Sequence, residues 1–139
     1  MKEGSWEECI GHNTALKVTP DKARAHSLID TAKGRADYFK KQTINEMNAS
    51  FIFEGYYASV LELLHAIVIL HGYKVENHVC LGYYVRDILK NSGLFRLFDD
   101  CRFKRNSLVY YGQKMDFLVA KNSIQKCKKL ISELNLLLK

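Results

Sequence analysis

The chain has 139 residues, 47% of them hydrophobic, 12% aromatic and 26% charged, with a formal net charge of +6. That size and composition describe one globular domain that buries its own core, and they exclude a chain of several domains. The positive balance suits a polyanionic partner such as nucleic acid or a nucleotide, but many ordinary soluble proteins share it.

Met1 to Glu8 carries Glu3, Glu7 and Glu8 where a signal peptide would carry an apolar run, and no stretch is expected to span a membrane. Residues 1–19 are expected as a flexible N-terminal arm, and 20–139 as a single domain. Cys9, Cys80, Cys101 and Cys127 lie far apart, without a Cys-x-x-Cys pair or zinc spacing, and three of them fall in apolar helical patterns. Free buried thiols in a reducing, cytoplasmic compartment are the expectation.

Thr19-Pro20-Asp21 predicts a helix start, with Thr19 as N-cap and Pro20 at the first helical position. Ala25, Leu28, Ile29, Ala32, Ala36 and Phe39 then form one apolar face opposed by Lys33, Arg35, Lys40 and Lys41, a first helix to about residue 46. The second, roughly Phe51 to His71, is apolar almost all round and must be covered on more than one side, by a bundle, a subunit interface or both. Gly72 is its stop. A third fits Val79 to Lys90 with Asn77 as N-cap, closed by Asn91-Ser92-Gly93. The fourth carries Arg105 and closes near Gly112, and the fifth runs from about Asp116 to Leu138. No strand pattern is evident. The expected fold is all-α, an antiparallel bundle of four to five helices.

On the fourth helix Leu94, Phe98, Cys101, Arg105 and Leu108 share one stripe, and a guanidinium interrupts it. Taking that charge out of water is costly unless acceptors or an anion meet it, so Arg105 either has an internal partner or awaits an anionic ligand. Arg102, Asn106 and Tyr110 make a parallel row at steps of four.

A basic amphipathic helix, a long apolar helix with Gly55-Tyr56-Tyr57-Ala58-Ser59, a Gly72-Tyr73 turn, a His78 opening the next helix and Arg105-Asn106 near the end of a fourth together resemble the HEPN superfamily over about residues 23–138. The resemblance implies a helical bundle that dimerises, metal-independent RNA cleavage through an Arg-x4-6-His motif in the active members, and pairing with a small nucleotidyltransferase as toxin and antitoxin.

This chain departs from that motif. Tyr110, Tyr111 and Gly112 occupy the interval where histidine belongs, and no histidine follows His78. An imidazole with pKa near ~6.5 is matched to moving the ribose 2′-hydroxyl proton, and a phenol near ~10 is not. Tyr110 and Tyr111 are instead candidates for hydrogen bonding to a phosphate or stacking on a base, alongside Arg102, Arg105 and Asn106, or for a plain structural role. Two readings stand: a dimeric RNA-, nucleotide- or partner-binding regulatory protein with an Arg105-centred groove, or a weak metal-independent endoribonuclease whose base is displaced. Arg105 and Tyr110 would then be the candidate catalytic residues.

His65 and His71, six residues apart, fall on different faces of the second helix and are expected as satisfied core positions, and His78 as a helix opener. One pair of acids on one helix, Glu54 and Glu62, falls short of a metal centre, so neither metal nor cofactor is expected.

Overall fold

A computed structural model describes residues 4–110 and 115–139, the side chains of 109 and 110 excepted. Among the described residues six helices and one two-stranded sheet follow in the order α1 (Trp6–Gly11), β1 (Ala15–Lys17), α2 (Lys22–Lys40), α3 (Ala49–Leu70), β2 (Tyr73–Val75), α4 (His78–Asp87), α5 (Ser92–Tyr110) and α6 (Phe117–Leu137). The chain is mostly helical, as its periodicities predict.

α3 sits at the centre and explains its own composition. It packs against α2 and α6 and also touches α4, α5 and β2, so it has few solvent-facing positions and little use for polar residues. Phe53, Val60, Leu63 and Leu64 are at most 1% exposed. The Ser59 hydroxyl, also buried, donates to the Ala32 carbonyl at 3.1 Å, which removes the cost of an unpaired polar atom at the α2–α3 contact. By length and composition alone α3 is long and apolar enough to cross a membrane, contrary to expectation, although 67% of its apolar window is buried inside this fold.

At Gly55 the α3 backbone approaches α2 so closely that a Cβ there would overlap the Phe39 ring. Gly55→Ala should therefore destabilise the protein by about 1–3 kcal/mol despite the better helix propensity of alanine. Urea denaturation measures this, and an unchanged midpoint would mean that the ring moves aside freely.

Residues 4–19, expected as a loose arm, are tied to the body. Trp6 is 6% exposed and packs edge-on against Tyr73 and Tyr84, at ring-centroid distances of 5.2 and 4.9 Å. Its amide donates to Asp87 Oδ2 at 2.8 Å, and Arg86 Nη2 donates to the Gly4 carbonyl at 2.7 Å. β1 pairs antiparallel with β2 in the register Ala15 to Val75, Leu16 to Lys74 and Lys17 to Tyr73. Strands of three residues are too short to show an alternation.

Cys9 and Cys80 are joined in a disulfide across 71 residues of sequence, which corrects the expectation of four free thiols and removes the cysteine argument for a reducing compartment. Cys101 and Cys127 are free and buried, as expected.

Helix ends moved for identifiable reasons. Asp21, not Thr19, caps α2, its carboxylate accepting the Arg24 amide at 2.9 Å. α2 stops at Lys40 instead of about 46, and beyond it Asn45 and Asn48 bond each other's backbone amides at 2.8 and 2.9 Å, an alternative to helical pairing. Lys90 takes φ 57 after α4, and the Asn91 side chain then accepts the Leu94 amide at 3.0 Å, so the segment read as a stop also starts α5.

Candidate functional site

The apolar stripe of α5 runs as predicted up to its charged interruption. Leu94, Phe98 and Cys101 are 5%, 1% and 0% exposed, and Arg105 and Leu108, further along, are half-buried. The Arg105 guanidinium carbon lies 5.9 Å from the centre of the Tyr57 ring on α3, within cation–π range. It borders a groove of about 340 Å³ between α2, α3 and α5, to which Arg35, Phe51, Glu54, Tyr57 and Leu61 also contribute. Arg35 is committed elsewhere, its Nε donating to Glu62 at 2.9 Å.

Tyr57 connects Arg105 to a histidine. Its hydroxyl lies 3.1 Å from Nδ1 of His78, the first residue of α4. Burial pushes the phenol well above its ordinary pKa despite the nearby Arg105 and Arg102, so it stays protonated. Burial, then the charges of Arg105, His65 and Arg102, lower His78 to about 4. At neutral pH this imidazole carries no charge and holds no proton suited to a leaving oxygen.

The depressed histidine gives a signed pH dependence. Below its unfolded pKa near ~6.5 the unfolded chain binds a proton that the folded state refuses until about 4, so stability is lost as pH falls through that window. Thermal melts from pH 7 to 4 should fall more steeply for the native chain than for His78→Gln, whereas parallel curves would mean that His78 is solvated.

The predicted residues separate on inspection. Arg102 is held by Asp99, three residues back, through Nε at 3.0 Å and Nη2 at 2.9 Å, so it acts on the groove by its field more than by contact. Asn106 is half-buried on α5, one turn after Arg102. The Tyr110 side chain and all of Tyr111 lie outside the described residues, so their roles stay as read from sequence. His71 is exposed and its Nδ1 bonds the Tyr84 hydroxyl, so it is satisfied without being a core residue, and half-buried His65 lies apart from it. Among the described residues no cluster of three metal-ligand side chains forms. Lys104 and Lys126 converge on Asp100 at 2.9 and 2.7 Å.

His78 is the residue that sequence reasoning undervalued. It stands 27 positions before Arg105 and three helices meet at Tyr57 to join them, and no spacing rule reports an encounter of that kind. Compared with models of known families, with curated proteins and with solved structures, the chain finds no match.

Proposed function

We propose that the Arg105 groove binds RNA through a phosphodiester, in a HEPN-like, dimeric binding or regulatory protein with little nuclease activity. The observation that carries this is the placement of Arg105: a guanidinium at the end of an otherwise buried stripe, backed by an aromatic ring and opening on a groove. An anion there gains a charge-assisted contact in partly desolvated surroundings. The net charge of +6 helps collect a polyanion from solution.

Arg105→Ala should weaken binding of a short fluorescent RNA by about tenfold or more, the weight of one charged hydrogen-bonded contact. Lys129→Ala is the charge-matched control. Lys129 borders Asn91 and Leu97 at the start of α5, and Arg105 lies roughly 16 Å further along that helix. Equal losses from the two changes would reduce the binding to diffuse charge attraction.

A specific geometry favours the second reading, a weak metal-independent endoribonuclease. His78 reaches Arg105 through Tyr57 within one chain, and a bound phosphate would favour its protonated form. Its low pKa argues that such activity is slow.

Dimerisation belongs to the same proposal, on altered grounds. Phe95 and Phe98 are 7% and 1% exposed, Leu97 is half-buried, and α3 is covered largely within the chain, so none of these supplies the contact. Among the described residues Phe51 and Phe103, at 69% and 66%, are the exposed aromatic residues of α3 and α5 that suit a partner copy. Sedimentation equilibrium at micromolar concentration should return twice the chain mass of 16.1 kDa, and a species of 16.1 kDa alone would contradict the dimer. A small nucleotidyltransferase as partner rests on the family resemblance.

A further inference from the structure

A second cavity, of about 330 Å³, opens between β2, α2 and α3 and is unlike the Arg105 groove in chemistry. That volume is at the lower end of the range for small-molecule sites. Leu28, Ile69 and Val75, from three different elements, give it an apolar floor, and Ile69 and Leu28 belong to a small core cluster separate from the main one.

The lip carries two cations and one acid: Arg24, Lys74 and Asp21. Among the described residues neither the Arg24 nor the Lys74 side chain makes a hydrogen bond or ion pair. The Asp21 carboxylate is turned to capping, accepting the Arg24 backbone amide at 2.9 Å. Half-buried His65 faces the same space, and its ring has no hydrogen bond among the described residues. Burial, and then the charge of Arg24, lower the His65 pKa, so the imidazole adds no positive charge to the lip at neutral pH.

We infer that this cavity is a second binding site and takes a short aliphatic carboxylate, its chain lying over Leu28, Ile69 and Val75 and its carboxylate meeting Arg24 and Lys74. The charge count selects a monoanion, because two cations against one acid leave a single positive charge to neutralise. The floor selects an apolar body over inorganic phosphate, since only apolar matter gains by covering it. Among the described residues no Phe, Tyr or Trp lines the cavity, so none of them stacks a nucleobase there.

The test uses the full chain and octanoate as probe, following the His65 ring and Ile69 methyl resonances by NMR. Octanoate should shift both in a saturable titration while His78 stays in place. Octylammonium, with the same chain and opposite charge, and inorganic phosphate should not. Arg24→Gln, an exposed change that leaves the core alone, should weaken octanoate binding about tenfold, and Arg105→Ala should leave it unchanged. Absence of a saturable shift, equal binding of octylammonium, phosphate binding as tight as octanoate, or indifference to Arg24→Gln would each overturn the assignment. Loss of octanoate in Arg105→Ala would overturn the separation of the two sites.

Discussion

Tyr110→His should turn an RNA-binding protein into one that cuts RNA, in EDTA, leaving 2′,3′-cyclic phosphate ends. The proposed groove already supplies an arginine for phosphate charge. It lacks a group that exchanges protons near pH 7, because His78 is held at about 4 and the Tyr57 phenol is pushed well above its ordinary value. An imidazole at position 110 restores the Arg-x4-His spacing from Arg105 and adds a base with pKa near ~6.5, an addition worth ~10²–10⁴ in rate. Denaturing gels of end-labelled RNA read the gain. It should vanish in the double variant with Arg105→Ala. Uncut RNA in Tyr110→His that still binds normally would show that the missing histidine is not what limits the chemistry.

Removing the Cys9–Cys80 disulfide should produce the largest loss of stability, about 4 kcal/mol in the chain-entropy account of a loop closed across 71 residues. Native contacts hold the same segment, since Trp6 is buried and β1 pairs with β2, so the reduced protein should keep its fold while its unfolded state gains freedom. At a urea dependence near ~2 kcal/mol per molar, that loss moves the unfolding midpoint down by roughly 2 M. Dithiothreitol on the native chain and Cys9→Ser should agree. Coincident curves with and without reductant would contradict the bond.

The central and C-terminal helices were legible because each shows its period over ten or more residues. α3 announced its burial by an almost continuous apolar sequence, and Asn77 announced a cap that the structure bears out, accepting the Cys80 amide at 2.8 Å. Residues 4–19 were not legible. A six-residue helix and a three-residue strand carry too little pattern, and what orders them comes from Tyr73, Cys80, Tyr84 and Asp87, far away in sequence. The same division runs through the candidate site. Arg105 was visible because charge broke an apolar stripe on one helix, whereas its connection to His78 depends on three helices meeting at Tyr57. Arg102 was credited as an anion contact although Asp99 stands three residues before it, the spacing at which helical ion pairs form.

The central claim, that the Arg105 groove holds RNA while cutting it little, is tested most directly by fluorescence anisotropy of a labelled RNA titrated with the native protein in EDTA, each sample then run on a denaturing gel. Saturable binding that weakens with salt, falls about tenfold or more in Arg105→Ala and leaves the RNA at full length is the predicted result. Rapid cleavage by the native chain, retained in Tyr110→Phe and abolished in His78→Ala, would contradict it and assign the chemistry to His78.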